Sequence, residues 1–474
     1  MRKLAQGETG STLEMRCDKR AASLIISDVT SLLSRLKADS LFSRVLRNSG
    51  MLFSSTVVSA ALGFVQGILI VRLIGIEGYG LLAGTVFVFA TNVNRLLSFR
   101  MSEVTVKYLS EALTADNKPR ASALVKGIGL IESVTSIVAY LILFLLASWA
   151  GQTFAKDPTT AILFRAYGIY LLGNLIYETS TGVLQTFKRF DRISAVQLSG
   201  SILTFLFVGG AFILKGNATH ILAAYLAGKL LAGILIVVFA AHELKTNLGS
   251  GWWRTRLDLV HEWRGILGFA LNTNLNGTVN LIVRDSAPLF LASFASQTEV
   301  GYFKLALSLV SLVTLPIEPF IWPTYAEITE TIARTQWEAT KRLLRRVSAI
   351  AAAWTLAAGG GLDAFGWWLL PFVYGADAAP AYPAAVILLL GYGVANTLHW
   401  NRPLLLALGK PAYPLIASAI VGAVQIALIF VIVPRFGYLG MAALMAGYLM
   451  FSIGIIAWRG LAEINRQAQV EIGN

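Results

Sequence analysis

The chain has 474 residues, of which 56% are hydrophobic and only 14% are charged, and its mean hydropathy is +0.66. A soluble domain of average composition carries about 25% charged residues, and a soluble fold cannot hide repeated apolar runs of about twenty residues. A soluble protein is therefore excluded. The formal net charge of +13 has two interpretations, an anionic partner such as nucleic acid or lipid, or the Lys/Arg bias of cytoplasmic loops.

The first 49 residues are polar and basic, without the apolar core of a cleaved signal peptide. Apolar residues between Ile25 and Leu36 recur at helical spacing, which is typical of an amphipathic helix on the membrane surface. A disordered tail fits the same composition. We assign 1–49 to a basic cytoplasmic segment. The single cysteine, Cys17, excludes an internal disulfide and a thiolate metal cluster.

From Gly50 the sequence reads as an all-α, polytopic membrane protein with about twelve helices. A first lobe of six helices is expected at 50–241 and a second at 265–460, with a cytoplasmic linker at 242–264 and a cytoplasmic tail at 461–474. The expected spans are 50–71, 80–99, 122–149, 161–182, 194–214, 219–241, 265–292, 300–325, 347–370, 382–408, 412–433 and 437–458.

The connections between these spans alternate in charge. Those rich in Lys and Arg, such as 100–121 and 326–346, are expected inside, and the short connections with little charge outside. Both termini then lie in the cytoplasm, and the basic excess is explained without nucleic acid. A short sequence similarity links 76–80 with 298–302, and each segment lies where the second span of its half begins. This similarity favours two six-span repeats with the same orientation.

The stretch 267–325 places polar and charged residues inside two apolar spans. Asn272, Asn276, Asn280 and Arg284 recur every fourth residue, which makes a stripe along one side of a helix. A charge at the membrane centre costs about 2.5–3.5 kcal/mol on insertion scales, so such residues face a bundle interior or a wet cavity. We interpret the stripe as lining the path of a polar or anionic cargo.

Four basic residues within the expected spans are the candidate substrate-binding cations: Arg95, Lys229, Arg284 and Lys304. Lys229 lies near the middle of its span, where snorkelling to the surface is hardest. Lys304 is close to a span end and could snorkel. The alternative for Arg284 is a structural pair with the adjacent Asp285.

Three acids are candidates for ion coupling or gating, namely Glu318, Asp285 and Glu132. Glu318 lies between Pro316 and Pro319, which remove helical N–H donors. A broken helix at membrane depth is tolerated where it lines a cavity or finds partners. The alternative for Glu318 is a structural kink.

Enzyme and cofactor chemistry is not visible in the sequence. Two His-Glu pairs, His242-Glu243 and His261-Glu262, lack the second histidine of a zinc helix, and the Gly-Lys pairs lack the rest of a nucleotide loop. The sequence therefore predicts no metal, no cofactor and no catalytic residues. No outer loop of the expected topology exceeds about a dozen residues, which argues against a membrane polymerase or glycosyltransferase.

Short motifs are spaced in order along 50–460: Arg72-Leu73-Ile74-Gly75 with Glu77-Gly78-Tyr79-Gly80, Val300-Gly301-Tyr302 with Pro316, Pro323 and Tyr325-Ala326-Glu327, Leu370-Pro371-Phe372-Val373-Tyr374-Gly375, Leu406-Ala407-Leu408-Gly409-Lys410, and Val433-Pro434-Arg435-Phe436-Gly437-Tyr438-Leu439-Gly440. With this ordered set the chain resembles the Wzx-type oligosaccharide flippases, polysaccharide transporters of the MOP superfamily, which also holds the MATE drug exporters and the lipid II flippases.

The resemblance implies two six-helix lobes around a central cationic cavity in the bacterial inner membrane. It implies a cargo of undecaprenyl-pyrophosphate-linked oligosaccharide, moved outward by alternating access for O-antigen, capsule or exopolysaccharide assembly. The implied partners are the lipid-linked oligosaccharide, membrane lipids, a polysaccharide polymerase and a chain-length regulator. Two alternatives stay open, a cation-coupled exporter of drugs or other small molecules and a membrane enzyme acting on the same lipid carrier.

Overall fold

The computed structural model describes the backbone of residues 40–98 and 100–473, and side chains from Ser54 to Gln469. Phe99 and the side chains of Asn272, Thr273, Leu275 and Asn276 fall outside that description. The amphipathic helix expected between Ile25 and Leu36 also lies outside the described residues. Contacts divide the chain into Met1–Ser54 and a compact unit, Ser55–Asn474, and the packing below is that of the second unit.

The described residues form helices joined by short turns. The helices are α1 (Ser40–Tyr79), α2 (Phe87–Leu97), α3 (Met101–Thr114), α4 (Lys118–Ala150), α5 (Ala161–Gly173), α6 (Tyr177–Thr186), α7 (Phe190–Ile213), α8 (Ala218–Leu248), α9 (Trp263–Asn280), α10 (Ala287–Phe294), α11 (Gln297–Thr314), α12 (Ile321–Ala333), α13 (Trp337–Tyr374), α14 (Ala381–Thr397), α15 (Asn401–Ala407) and α16 (Ala412–Gly473).

Nine helical stretches among the described residues are long and apolar enough to cross a bilayer. The expected all-helical, multi-pass membrane protein is thereby confirmed. Two of these stretches, Ser54–Thr114 and Ala412–Gln469, have 61 and 58 residues, about three times the length that one crossing needs. Twelve crossings and two six-helix lobes remain a prediction.

Two glycines bend these long stretches. Gly75 has φ 74° and ψ 173°, and Gly437 has φ 53° and ψ −136°. Both backbone conformations are costly for residues with a Cβ atom. The sequence placed connections at 72–79 and 434–436, so each bend lies within or next to an expected connection.

Five expected spans are interrupted, and the second span opens with the π-helical stretch Gly80–Val86. The fourth breaks between α5 and α6, and the tenth between α14 and α15. The seventh contains a π-helical stretch, Leu281–Asp285, and the eighth a 3-10 stretch, Leu315–Phe320. Only the break in the eighth span was expected, because prolines mark it in the sequence. Helix α8 also continues to Leu248, so the first residues of the linker expected at 242–264 are helical.

Helices that are close in sequence pack together: α7 on α8 and α4 on α5 in the first half, and α14 on α16 and α11 on α14 in the second. The two halves meet where the π-helical stretch Gly80–Val86 packs on α11. A Cβ at Gly80 would lie 1.9 Å from the carbonyl oxygen of Gln297, and a Cβ at Gly301 would lie 2.3 Å from that of Ile76. The two similar segments, 76–80 and 298–302, therefore pack against each other. Only glycine lets their backbones come this close.

Candidate functional site

A polar cavity of about 600 Å³, called cavity A, lies between the two halves of the chain. Its wall is formed by α2, by the break between α5 and α6, by α8, and by α9 with the π-helical stretch after it. The charged residues on this wall are Arg95, Arg100, Glu178, Lys229, Asp285 and Arg402.

A second cavity of about 490 Å³, called cavity B, shares Arg95 and Asp285 with cavity A. Its other charged residues are Arg284 and Lys304, and tyrosines at 79, 225 and 392 contribute aromatic surface. Side chains that present both hydroxyls and ring faces can contact sugars as well as the apolar part of a lipid. Cavity B is therefore suited to an amphipathic ligand.

A third cavity of about 390 Å³, called cavity C, is lined by residues of the second half of the chain. It shares Arg284 with cavity B, and Asn280 and Arg402 with cavity A. Six basic and two acidic side chains line the three cavities together: Arg95, Arg100, Lys229, Arg284, Lys304 and Arg402, against Glu178 and Asp285. The charge around these three adjoining cavities favours anions.

An ion pair crosses between the halves where cavities A and B meet. Nη1 of Arg95 lies 2.7 Å from Oδ2 of Asp285, and Nε of Arg284 lies 3.5 Å from Oδ1 of the same carboxylate. Next to it, the side-chain amide of Asn92 donates to the Ser286 hydroxyl at 2.9 Å. The expected local pair of Arg284 with Asp285 exists, but Arg95 is the closer partner.

The π-helical stretch Leu281–Asp285 explains this arrangement. A π-turn adds a residue to the helical turn and rotates the residues after it relative to a regular α-helix. Asn280 lines cavities A and C, whereas Arg284 lines B and C. The two residues therefore share cavity C, and each also lines a second cavity that the other does not.

The four cations expected from the sequence all line a cavity. Lys229 lines cavity A, Lys304 lines cavity B, Arg95 lines both, and Arg284 lines B and C. The side chains of Asn272 and Asn276 lie outside the described part of the structure. What each of these residues binds remains a prediction.

Two acids named from the sequence lie away from cavities A to C. Glu132 is 2% exposed, and its carboxylate accepts the backbone N–H groups of Glu178 and Thr179, both at 2.8 Å. It thereby satisfies two free donors at the start of α6. Glu318 is exposed within the 3-10 stretch Leu315–Phe320. The regular α-helix is thus interrupted at Glu318, and a structural kink there and a gating role for either acid remain predictions.

The sequence reasoning missed several residues on these walls, chiefly Arg402, Arg100, Glu178 and Asn274. The amide of Asn274 donates to the carbonyl of Leu96 at 3.2 Å, and Ser102 donates to the Glu178 carboxylate at 2.5 Å. Arg402 falls inside the expected tenth span, so the criterion that selected Arg284 would have found it. Glu178 lies inside the expected fourth span and would have been found in the same way, whereas the uncharged Asn174 carries no such signal.

Residues 45–327 match the family described as "Polysaccharide biosynthesis protein". The chain is 24% identical over 286 residues to "Inner membrane protein YghQ" of Escherichia coli (strain K12), a match that covers 59% of this chain and 78% of the relative.

Several solved transporters share the fold. An inward-facing multidrug resistance MATE family transporter of the MOP superfamily has a TM-score of 0.70 at 15% identity and covers 87% of this chain and 96% of its own. The lipid II flippase MurJ, in an inward closed conformation, has a TM-score of 0.64 at 15% identity, with 87% and 89% coverage. A MOP superfamily transporter from Pyrococcus furiosus has a TM-score of 0.62 at 14% identity, with 90% and 96% coverage. The chain therefore belongs to the polysaccharide biosynthesis protein family and has the fold of the MOP superfamily transporters.

Proposed function

We propose that the protein is a flippase. It moves undecaprenyl-pyrophosphate-linked oligosaccharide repeat units from the inner to the outer leaflet of the bacterial cytoplasmic membrane by alternating access, for surface polysaccharide assembly. One observation carries this proposal, namely the excess of six basic over two acidic side chains around three cavities that share lining residues between apolar helices. Membership of the polysaccharide biosynthesis protein family supports the class of cargo.

A pyrophosphate is the part of such a cargo that basic side chains recognise most strongly. Arginine offers paired N–H donors to phosphate oxygens, and lysine offers a point charge. Arg95 and Lys229 supply both from cavity A, and Arg284 and Lys304 supply both from cavity B. Because Arg95 lines both cavities, the head group stays next to a cation as it passes from one cavity to the other.

Neutral polar residues on the same walls are suited to sugar hydroxyls. The amide groups of Asn280 and Asn274 both donate and accept hydrogen bonds, as a hydroxyl does. Asn272 and Asn276 are proposed for the same role from their spacing. Asp285 competes with the pyrophosphate for Arg95 and Arg284, so re-forming these ion pairs releases the cargo and resets the cycle.

The test compares Arg284→Ala with Arg165→Ala in a strain that lacks the native copy. Arg165 is a matched control, because it lies within an expected span but lines none of cavities A to C; its guanidinium instead bonds Ser148 at 3.0 Å. We expect Arg284→Ala to abolish surface polysaccharide at normal protein level, and Arg165→Ala to retain it.

The deletion strain provides the second readout, lipid-linked intermediates. A flippase defect accumulates the complete repeat unit on the inner leaflet, whereas a defect in a polymerase or ligase leaves units that have already crossed. Normal polymer from stably expressed Arg284→Ala would remove Arg284 from the mechanism. Changed drug resistance with normal polymer would favour the cation-coupled exporter instead.

A further inference from the structure

A fourth cavity, called cavity D, lies away from the proposed transport path. It has a volume of about 310 Å³ and is lined by α4, the start of α6, the last part of α8 and the linker after α8. None of its described lining residues lines cavities A to C. Its floor, which includes Val183 and Ala240, is buried, whereas Leu130 and Trp253 at its edge are 48% and 54% exposed. The cavity therefore opens at the outer surface of the helices.

The wall of cavity D offers little to a polar ligand. The Ser133 hydroxyl donates to the carbonyl of Gly129 in its own helix at 2.8 Å, and Thr179 and Ser180 are each 3% exposed. Lys126 is the one charged residue among the described lining residues. Such a wall does not hold water, because an ordered water needs two to four polar partners. In a bilayer an acyl chain can fill the space and supply the dispersion contacts that an empty cavity lacks.

Two cations lie at the mouth of this apolar cavity. Nζ of Lys126 donates to the carbonyl of Thr255 at 3.0 Å, which uses one of the three N–H donors of an ammonium group. The Arg254 guanidinium lies 4.7 Å from the ring centroid of Trp253. Neither cation forms an ion pair with a carboxylate among the side chains that the structure describes. Cations beside an apolar cavity match the phosphate and the acyl chain of an anionic lipid.

The predicted topology places this mouth at the cytoplasmic surface of the membrane. The sequence puts Lys126 near the inner end of the expected span 122–149 and assigns the linker 242–264 to the cytoplasm. Trp252 and Trp253 of that linker line the cavity, and tryptophan is enriched at the level of the lipid head groups. Anionic lipids give the cytoplasmic leaflet its negative surface potential, so the leaflet that faces cavity D supplies a lipid of the matching charge.

The start of α6 separates cavity D from cavity A. Tyr177 and Glu178 line cavity A, whereas Ile176 and Thr179 line cavity D. Residues that are adjacent in a helical turn point to different sides of it. An acyl chain in cavity D therefore packs behind the turn that carries Glu178, and it supports the wall of cavity A without entering the transport path.

We propose that cavity D is a binding site for an anionic phospholipid of the inner leaflet. An acyl chain of the lipid fills the cavity, and Lys126 and Arg254 bind its phosphate. This lipid is a resident of the site and not the transported cargo. The chain could bind it without being a flippase, and could be a flippase without this site.

The test measures lipid binding to the purified full chain in detergent, by native mass spectrometry. The probes are dioctanoyl phosphatidylglycerol and dioctanoyl phosphatidylcholine, which have the same chains but differ in net charge. We expect the first lipid to bind at least about fivefold more tightly, the factor given by one charge contact of about 1 kcal/mol. Lys126→Gln should lower this preference by about the same factor. Lys118→Gln is the matched control, because Lys118 is exposed at the start of the same helix and does not line cavity D.

A second variant locates the acyl chain. Ala241 lines cavity D and is partly exposed, so Ala241→Trp places a large side chain in the space and should weaken the binding of both lipids. Ala223→Trp, at an exposed position of the same helix outside cavities A to D, should weaken neither. Lys126→Gln keeps the proposal testable if Ala241→Trp does not fold. Equal affinities for the two lipids in the wild type, a preference unchanged by Lys126→Gln, or binding unchanged by Ala241→Trp would overturn the proposal.

Discussion

Individual residues show how a charge is kept at membrane depth. The Asp285 carboxylate forms ion pairs with Arg95 from one half of the chain and with Arg284 from the other. The side chains of Arg95 and Asp285 remain 57% and 31% exposed to the cavities, so the pair is worth no more than about 1 kcal/mol of stability. A weak ion pair at this place is easily exchanged for a ligand, which suits a transport cycle better than a strong one.

Glu132, in contrast to the exposed pair, is buried, and its carboxylate accepts hydrogen bonds from two backbone N–H groups of α6. Glu132→Gln leaves one acceptor oxygen and places an NH₂ group against an N–H donor. We expect a loss of about 1–3 kcal/mol of stability, measured as a lower Tm of the purified protein.

Glu338→Gln is the control for this substitution. Glu338 forms an exposed pair with Lys341 at 2.9 Å, and exposed pairs of this kind contribute about 0.5 kcal/mol or less. If Glu132→Gln keeps the Tm of the wild type yet stops transport, Glu132 acts in ion coupling, as its depth in the sequence suggested. A lower Tm with transport retained at low temperature would assign it to the support of α6.

At the scale of whole elements, breaks in helices place the cavity walls. Asn174 follows the end of α5, Asp285 ends the π-helical stretch before α10, and His399 precedes α15, and each lines a cavity. Irregular backbone at membrane depth is tolerated where its polar groups line a cavity or find partners. The breaks therefore supply polar groups that a continuous helix would keep within its own hydrogen bonds.

The glycine seam between the halves, formed by 76–80 and 298–302, gives a prediction about gating. Gly80→Ala places a Cβ against the Gln297 backbone, which cannot move aside as a flexible side chain can. We expect the seam to loosen. If opening becomes easier by about 1.4 kcal/mol, a reporter cysteine behind the seam reacts about tenfold faster with an impermeant thiol reagent added outside.

The reporter is Ser308→Cys, in cavity B and 3.3 Å from the Tyr79 hydroxyl, in a chain whose native Cys17 is replaced by serine. Gly209→Ala is the matched control, because a Cβ there has nothing within 4 Å and Gly209 is not among the residues that line cavities A to C. Equal labelling rates in the Gly80→Ala, Gly209→Ala and unsubstituted chains would show that the seam does not control access to cavity B.

The sequence predicted the elements better than their interruptions. Apolar runs of about twenty residues are a local signal, and so are Pro316 and Pro319, which mark the 3-10 stretch in the eighth span. The break after Gly173 depends on Glu132, more than forty residues away in the chain, and no local pattern reveals such a contact. A charged residue inside an apolar run is also a local signal, because burying a charge in the membrane is costly. That signal identified Arg95, Lys229, Arg284 and Lys304.

At the scale of the whole molecule, six basic and two acidic side chains give the cavities a positive field. Such a field attracts an anionic head group over distances set by the ionic strength, and the screening length falls from about 10 Å at 0.1 M salt to about 3 Å at 1 M. We expect geranyl pyrophosphate to bind the purified protein more weakly as salt rises. Geraniol, which has the same chain without charge, should not respond.

Substitution of one cation should reduce the salt dependence itself. Lys304→Gln removes a positive charge from the wall of cavity B, so log Kd should rise less steeply with log salt than in the wild type, while Arg165→Gln should keep the original slope. A general basic surface would make the two variants alike, since each loses one charge. Identical slopes in both variants would therefore place pyrophosphate binding outside the cavities, whereas a slope reduced only in Lys304→Gln ties it to the charge that cavity B presents.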